Sequence, residues 1–412
     1  MEVMTYVAKT VRLASRNALR QRARTGMTIA AIVFGVIGII LSGGFVRDVL
    51  AQLGEALIHS QSGHLQIAKQ GYFGSGSRKP ELYMISEPSA LKERFATLPQ
   101  VADVMARLSF SGLLTNGRSD IPIIGEGLEP DAESRLGTFL VVASGRHLND
   151  NDRYGMLIGK GLAQALKLQP GDQASIVLNT AEGAMNTLDF EIVGVFQTFS
   201  KDYDARAVRI SLSAAQELLD TAGANVLVLS LKRTRDTNLL AKVIEADVTS
   251  DRLEVRRWDE LNDFYPKTVE LYDRQFGVLQ VIIFAMVILT VMNTVNMTVF
   301  ERAGEFGTMR ALGNRAQDVF VLVLTENALI GLTGATLGIV LGIALATTIT
   351  AIGIPMPPPP NSDIGYTAQV RIVPSVVITG FFVGALATLI ASIFPALRVA
   401  RSSVVDALRL NV

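Results

Sequence analysis

Long apolar stretches without charged side chains recur four times along the 412-residue chain. A helix needs about 20 apolar residues to cross the hydrocarbon core of a bilayer. The four stretches therefore predict membrane-spanning helices at 27–46, 275–300, 319–349 and 372–397. Between Arg47 and Arg274 no uncharged run approaches that length, so this segment is predicted to form a large water-exposed domain.

The segment between the first two predicted spans has mixed α/β patterning. Asn116-Gly117 lies between alternating apolar residues, which predicts a β-hairpin. Residues 161–168 are predicted to form a helix, and the predicted strands are 174–178, 188–196 and 225–232. The flanks 48–59 and 258–274 are predicted to extend the first two spans as stalk helices. The predicted fold is an α-helical membrane protein with four transmembrane helices and a large mixed α/β extracytoplasmic domain inserted between helices 1 and 2.

Basic residues beside the short loops predict the orientation, because cytoplasmic loops carry an excess of Lys and Arg. The segment before the first span, the loop after the second span and the C-terminal tail are rich in arginine, whereas the loop between the last two spans holds only Arg371. Both termini are therefore predicted to be cytoplasmic. The first apolar run is too long for the core of a signal peptide, which favours an uncleaved signal anchor over a cleaved signal peptide.

These patterns divide the chain into nine predicted regions. They are a cytoplasmic amphipathic interfacial helix (1–26), the first transmembrane helix with its stalk (27–58), an extracytoplasmic core domain (59–257), the stalk and second transmembrane helix (258–300), a charged cytoplasmic segment (301–318), the third transmembrane helix (319–350), an extracytoplasmic loop (351–371), the fourth transmembrane helix (372–397) and a cytoplasmic tail (398–412).

Composition and motifs exclude several functions. The chain has 38 basic and 38 acidic residues, and this zero net charge argues against nucleic-acid binding. It contains no cysteine, which excludes disulfides and thiolate chemistry. The stretch 155–161 resembles a phosphate-binding loop but has three residues between its glycines instead of four, and Gly161 where a Ser or Thr must bind magnesium. His59, His64 and His147 are too scattered in the sequence to predict a metal site. We therefore expect a non-catalytic chain without a cofactor of its own.

Two charged segments flank the predicted spans. Arg12, Arg16, Arg20 and Arg24 recur every four residues, which predicts a basic helix face against anionic lipid, although the same charges could serve only to set the topology. The segment after the second span has an apolar row at Phe306, Met309 and Leu312, followed by the helix-stop signal Gly313-Asn314. Periodicity alone leaves two interpretations open, a helix that docks in a partner's groove or a simple hairpin loop.

The residues Glu301–Gly313, ERAGEFGTMRALG, resemble the coupling-helix signature of ABC transporter permeases of the MacB, LolC/LolE and FtsX superfamily. Three further stretches are similar to that superfamily: 13–20, 157–172 and 395–409. One departure is Val404, which stands where the last motif usually has a proline. The stretch 62–72 is most similar to the lipoprotein-releasing LolC/LolE branch.

This resemblance implies a permease subunit in a bacterial inner membrane that works with a second permease subunit, identical or different, and a separate cytoplasmic ATPase dimer that binds ATP and Mg²⁺. The expected cargo is a lipoprotein or another amphipathic molecule from the outer leaflet, passed to a periplasmic carrier. Three alternatives stay open: adaptor-linked efflux of small amphipathic molecules, signalling to a cell-wall hydrolase without cargo, and a receptor or scaffold without nucleotide coupling. The residues that the resemblance assigns to ATPase coupling are Glu301, Arg302, Glu305, Phe306, Met309, Arg310, Leu312 and Gly313.

Glycine rows and one acid mark the predicted spans. Small residues let membrane helices approach to backbone contact. Such packing is expected between spans three and four, with a subunit interface as the alternative. Glu326 interrupts an apolar run, and a buried membrane carboxylate suggests a function. We expect Glu326 to anchor the preceding loop by pairing with Arg302 or Arg310, with proton transport as the alternative. The glycines of the two rows are Gly334, Gly338 and Gly342 in span three, and Gly380 and Gly384 in span four.

Overall fold

A computed structural model describes residues 11–17, 20, 22–75, 80–137, 140–180, 182–198, 200–357 and 365–401. The chain divides into two compact units. We call the first, which comprises residues 1–50, 269–355 and 367–412, the membrane unit. We call the second, 51–268 with 356–366, the core domain.

The four predicted spans are confirmed as helices that are long and apolar enough to cross a membrane. The predicted N-terminal helix is described only in part: residues 11–17 are helical, whereas 1–10, 18, 19 and 21 lie outside the described residues, as does the tail after Arg401. The four long helices are span 1 (Arg22–Leu57), span 2 (Phe264–Glu301), span 3 (Ala316–Ile352) and span 4 (Pro374–Arg401), and two short strands, Ile354–Met356 and Tyr366–Ala368, lie between spans 3 and 4.

The glycine row of span 3 packs against span 1, which corrects the expectation that spans 3 and 4 use these glycines mainly against each other. A Cβ atom added at Gly338 would lie 2.7 Å from the Cβ of Val36, so any side chain there would force the helices apart. The matched pairs are Gly334 with Ile32, Gly338 with Val36, and Gly342 with Ile40. These β-branched residues recur every fourth position and form a rigid ridge that fits the glycine groove.

The glycines of span 4 face the same ridge from its other side. Gly384 lies against Val36 and Ile32, and a Cβ atom added there would come within 2.9 Å of Val36. Spans 3 and 4 meet each other where Gly331 faces Thr388. Span 1 therefore packs against both glycine rows, and these contacts are all made within one chain.

Asp48 ties span 1 to the segment that precedes span 4. Its carboxylate is 1% exposed and accepts hydrogen bonds from Gln369 N at 2.9 Å and from Arg371 Nε at 2.8 Å. Arg371 N also donates to Gly44 O at 3.2 Å. The single arginine of this loop is thus held by a buried carboxylate of span 1.

The core domain contains one ten-stranded mixed sheet, in agreement with the predicted mixed α/β fold. The strands are β1 (Leu65–Lys69), β2 (Val101–Thr115), β3 (Asp120–Leu128), β4 (Val141–Gly145), β5 (Gly155–Gly159), β6 (Gln173–Asn179), β7 (Met185–Gln197), β8 (Ala207–Ser211), β9 (Val226–Leu231) and β10 (Leu253–Arg257). Their order in the sheet is β10-β1-β9-β2-β3-β8-β5-β7-β4, with β6 pairing to β2 and β7. Only the β3–β8 and β5–β7 pairs are parallel among the described pairs.

The predicted hairpin is confirmed between β2 and β3. Thr115 pairs with Asp120, and Gly117 adopts φ +78°, a left-handed conformation that favours glycine. The Asn116 side chain accepts hydrogen bonds from the backbone N–H groups of Arg118 and Ser119, both at 2.9 Å. The turn residues therefore set the register of β2 and β3.

Helices cover the sheet of the core domain. The predicted helix at 161–168 and the three predicted strands are confirmed, with bounds shifted by one to three residues. Span 2 begins only at Phe264, because Trp258 N donates to His64 O and the Asn262 side chain caps Phe264 N at 2.9 Å, so a helical stalk from 258 is wrong. The core-domain α-helices are Tyr72–Ser75, Pro88–Ala96, Pro130–Leu136, Lys160–Leu166, Lys201–Asp204, Leu212–Leu219 and Thr237–Val248, with 3-10 turns at Pro80–Tyr83, Thr234–Asp236 and Thr249–Asp251.

Candidate functional site: the loop helix and its ion pairs

A short helix, Ala303–Ala311, connects spans 2 and 3, and we call it the loop helix. It is shorter than the predicted coupling helix 301–318, because Gly313 adopts φ +99° and ends it. Gly313 N donates to Arg310 O at 3.1 Å and Asn314 N to Met309 O at 3.2 Å, which satisfies the last carbonyls. The predicted stop signal at Gly313-Asn314 is confirmed. Span 3 then begins at Ala316, with Asp318 accepting a hydrogen bond from Arg315 N at 2.8 Å.

The apolar row of the loop helix is not presented to a partner as a whole, which corrects the sequence analysis. Phe306 is 2% exposed and belongs to the apolar core of the membrane unit. Met309 is half-buried against the same core. Leu312 is 82% exposed. It lies beyond Ala311, where the helix ends, so it leaves the helical stripe that buries Phe306. One large apolar side chain of the row is therefore available for docking.

A buried ion pair anchors the start of the loop helix to span 3. Arg302 Nη1 donates to both carboxylate oxygens of Glu326, at 3.0 and 2.9 Å, and the two residues are 8% and 7% exposed. Arg302 is one of the two partners that the sequence analysis named for Glu326. The guanidinium carbon also lies 5.0 Å from the ring centroid of Phe306, in the geometry of a cation–π contact.

The electrostatics keep Arg302 charged. Burial alone lowers the pKa of Arg302, but the adjacent Glu326 carboxylate raises that pKa above its ordinary value. Arg302 Nε donates in addition to Glu305 Oε2 at 3.0 Å. A buried charge left without its partner is costly, so Arg302 holds the loop helix and the glutamate together as one element.

Two residues of the predicted lipid-facing arginine row contact the loop segment instead. Arg20 Nη1 lies 3.1 Å from Glu305 Oε1, and Arg24 pairs through both nitrogens with Glu301. These pairs are solvent-accessible, with Arg20 75% and Glu305 44% exposed at the side chain. Exposed pairs of this kind contribute little to stability and are screened by salt. Arg12 and Arg16 are exposed, and their predicted role at the lipid surface stays a prediction.

The geometry carries no sign of catalysis in the part of the chain that the structure describes. An open cleft beside Arg302 and Glu326 is lined by threonines of spans 1 and 2, but Thr28, Thr294 and Thr298 each donate to a backbone carbonyl four residues earlier. Among the described residues, no group of three or more His, Asp or Glu side chains is arranged to hold a metal ion. The hydroxyl groups of these three threonines are therefore engaged within their own helices.

Sequence reasoning missed two charged residues of the core domain. Arg107 and Arg209 are each 3% exposed in the strands β2 and β8. Each stands inside an apolar run, Val104–Leu108 and Ala207–Ile210, and an arginine in such a run is the signal that could have revealed them. His59 and His64 were expected to be scattered, but their rings lie edge-on with centroids 5.6 Å apart.

Four apolar helices, a loop helix between two of them and an inserted mixed sheet define a membrane permease. The family model of the MacB-like periplasmic core domain matches residues 25–247, and that of the FtsX-like permease C-terminal region matches residues 277–404. The chain thus belongs to the ABC transporter permeases of the MacB/LolC/LolE family. Its membrane-spanning helices and MacB-like domain fit an inner-membrane permease.

Three relatives illustrate the range of this family. The chain is 25% identical over 288 residues to an uncharacterized ABC transporter permease of Methanocaldococcus jannaschii, covering 65% of each protein. It is 22% identical to the lipoprotein-releasing system transmembrane protein LolC of Neisseria meningitidis, covering 80% of each. It is 25% identical to the pyoverdine export ATP-binding/permease protein PvdT of Pseudomonas aeruginosa, covering 81% of this chain but 50% of that protein. The chain thus spans about two thirds of the archaeal relative and half of PvdT.

Proposed function

We propose that this chain is the non-catalytic permease subunit of an ABC transporter, and that it passes work from a separate cytoplasmic ATPase to the core domain. In this mechanism a dimeric ATPase binds ATP and Mg²⁺, closes, and displaces the loop helices of two permease subunits. The displacement travels along spans 1 and 2 and changes the conformation outside the membrane. We call this mechanotransmission.

The exposed end of the loop helix carries this proposal. Leu312 is 82% exposed, whereas the residues that precede it are held by Phe306 in the core and by the pair of Arg302 with Glu326. A rigidly anchored helix with one free apolar end can dock in a partner's groove and cannot yield without moving its neighbours. Because Glu326 belongs to span 3, a push on the loop helix would move spans 2 and 3 together.

The charge distribution supports a cytoplasmic location for the loop helix and both termini. Arginines are concentrated before span 1 and between spans 2 and 3, whereas Arg371 is the single basic residue between spans 3 and 4. The core domain would then lie outside the inner membrane. ATP and Mg²⁺ would be bound by the partner alone.

An acylated or similarly amphipathic molecule, extracted from the outer leaflet, is the cargo that we favour. The LolC relative, which matches along 80% of its length, is named as part of a lipoprotein-releasing system. A second candidate is efflux of amphipathic small molecules, because the PvdT relative is named as an export protein. Mass spectrometry of lipid, acylated protein or small molecules bound to the purified complex separates the two.

Replacing Leu312 tests the proposed function most directly. An affinity-tagged chain is purified from its native membranes, and ATPase subunits and MgATP hydrolysis are measured in the eluate. We expect Leu312→Arg to lose both while the chain stays inserted, because a charge cannot be buried in an apolar groove without a partner. Met185→Arg is the matched control, since Met185 is 76% exposed on β7 of the core domain. An ATPase that co-purifies at the wild-type level with Leu312→Arg would overturn the docking role.

A further inference from the structure

Span 1 ends in an unusual turn inside the core domain. Residues Ile58–Ser62 form a single π-helical turn, closed by a hydrogen bond of 2.9 Å from Gly63 N to Ile58 O. Gly63 adopts φ +65°, and a Cβ atom there would lie 2.3 Å from Val228 Cγ1, so the turn requires glycine. Single π turns inside or at the end of α-helices occur frequently at functional sites.

Two buried arginines donate hydrogen bonds to carbonyl groups of this turn that lack partners within the helix. Arg209 Nη2 donates to Ser60 O at 2.7 Å, and Arg107 Nη1 donates to Gln61 O. The last carbonyls of a helix carry partial negative charge, so cations stabilise them. Arg107 and Arg209 lie on β2 and β8, which flank β3 on its two sides. Together they hold the end of span 1 at the middle of the sheet.

Carboxylates balance both arginines. Arg107 Nη2 donates to Glu133 Oε2 at 2.7 Å, and Arg209 Nε lies 3.3 Å from Glu126 Oε2. Burial by itself raises the pKa of Glu126, but Arg209 and Arg107 lower that pKa below its ordinary value, so the carboxylate is ionised. Tyr203 OH donates to the same carboxylate at 2.9 Å. We call Arg107, Arg209, Glu126, Glu133 and Tyr203 the arginine socket.

The desolvation of the charged groups in the arginine socket costs more free energy than a purely structural role would require. Buried ion pairs can often be replaced by apolar residues at no loss of stability, so their desolvation needs another explanation. The turn itself is also under polar stress: Ser60 Oγ and Gln61 Nε2 are buried and have no hydrogen-bond partner among the residues that the structure describes. Each such atom loses the hydrogen bond that it makes to water in the unfolded chain, which destabilises the turn. The turn is therefore an unfavourable arrangement that the socket holds in place.

The last helical turn before the socket has a second attachment. Thr234 Oγ1 donates to Glu55 Oε1 at 2.8 Å and lies 3.2 Å from His64 Nε2. Leu231 N donates to His64 Nδ1 at 3.1 Å, so Nδ1 is the acceptor and the ring hydrogen is on Nε2. This chain of contacts links span 1 to β9 and to the segment after it.

We propose that Arg107 and Arg209 are positioning residues that clamp the end of span 1 to β2 and β8 and thereby convert its displacement into movement of the ten-stranded sheet. This inference rests on the proposed function, because it names the point at which work enters the core domain. The observation behind it is the convergence of two buried, charge-balanced guanidinium groups on consecutive carbonyls of a π turn. Exposed apolar contacts at the end of span 1 would transmit less of its displacement to the sheet, because apolar side chains can slide past one another.

Replacing each arginine together with its carboxylate partner by neutral residues removes the hydrogen bonds to the π turn without leaving a buried charge unpaired. The double variants are Arg209→Met with Glu126→Gln, and independently Arg107→Met with Glu133→Gln, so that neither leaves an unpaired buried charge. The matched control is Arg135→Met with Asp103→Asn, which removes a pair at 2.7 Å in the same domain, where Arg135 is 57% exposed. Each full-length variant is purified with its ATPase, and hydrogen exchange is measured with and without MgATP.

We expect MgATP to change exchange in residues 58–63 and in β2 and β8 of the unaltered complex. In both clamp variants we expect that response to fall by roughly two- to thirtyfold, the range found for residues that carry coupling. ATP hydrolysis and the protection of β9 should be retained, and the control should respond like the unaltered protein.

Two results would overturn the clamp. One is a full MgATP response in both variants; the other is loss of β9 protection before nucleotide is added, which would make the socket a folding element only. A complex without any MgATP response in the unaltered chain, or without an ATPase, would instead contradict the proposed function itself, so the two failures can be told apart.

Discussion

The two ends of span 1 are attached by opposite means. At its N-terminal end, Arg20 and Arg24 pair with Glu305 and Glu301 in ion pairs that water reaches. At its C-terminal end, the carbonyls of the π turn are held by arginines that are 3% exposed. Exposed pairs form and break at little cost, whereas buried ones resist separation. The first end is therefore held by pairs that can exchange partners, whereas the second end is held by pairs that resist separation.

The N-terminal end has one exception to this rule. Beneath the exposed pairs, Arg302 and Glu326 form a buried pair, so the loop helix is fixed to span 3 even though its contacts with the segment before span 1 are loose. The comparison therefore separates fixed joints, which are buried and charge-balanced, from adjustable ones at the surface.

Removing a socket arginine alone should have the largest effect on stability. Arg107→Met leaves Glu133 buried without a partner, which should cost on the order of 3–5 kcal/mol of unfolding free energy in the core domain. Hydrogen exchange of the β9 amides in the detergent-solubilised chain measures that loss. The double variant with Glu133→Gln should restore the protection of β9, because it leaves no unpaired buried charge. Equal loss in the single and double variants would show that charge balance is not what the socket provides.

Acid should weaken the attachment of the C-terminal end of span 1 to the core domain, because His64 becomes protonated. Burial lowers the pKa of His64 to about 4, against an ordinary value near 6.5. Between these values the unfolded chain binds the proton and the folded chain does not, so stability is complete above the ordinary pKa and falls as the pH drops toward 4. The loss should approach about 2–3 kcal/mol.

The measurement is β9 protection as a function of pH, with His64→Gln compared with His147→Gln. His147 is exposed, so its replacement should leave the pH dependence unchanged. Glu55 and His59 face His64 and titrate in both proteins, so the informative quantity is the difference between the two curves. Identical curves for both variants would exclude His64 as the source.

The smallest effect is expected at the exposed pairs. Replacing Arg24 and Glu301 by Gln, singly and together, should reveal a weak coupling that vanishes at high salt, because water and ions screen both groups. Exchange of the loop-helix amides reports it. A coupling that survives high salt would place this pair among the fixed joints and would weaken the contrast between the two ends.

Much of the fold follows from local pattern. The long runs without charged residues predict the four spans, because a helix satisfies its own backbone hydrogen bonds inside a bilayer. Asn116-Gly117 predicts the hairpin, because few residues accept the backbone conformation of such a turn. The pairing of Glu326 with Arg302 could also be predicted from the sequence, since a carboxylate one to two turns into a span can reach a neighbouring loop. These predictions rest on costs that a single residue or a short run imposes.

The rest depends on tertiary contacts that periodicity does not encode. Phe306, Met309 and Leu312 have the same helical spacing, but the helix ends at Ala311, and only the structure shows which of the three is free. The glycine row at Gly338 announced close packing without naming its partner, Val36. Arg107 and Arg209 stand out as arginines in apolar runs, but the sequence does not predict what they bind, because their carbonyl acceptors belong to a π turn whose backbone pattern has no side-chain signature.

Span 2 differs from the other membrane helices in how little of it is packed. Along its whole length, which the structure describes completely, its buried residues are Val287, Val291, Val295 and Val299. Because its buried residues form a single stripe of valines, the helix can rotate about its long axis without opening a void between spans 1, 3 and 4. Span 2 also leads directly into the loop helix. In the proposed mechanism, span 2 is thus the helix whose rotation disturbs the least packing within this chain, and we expect it to turn first.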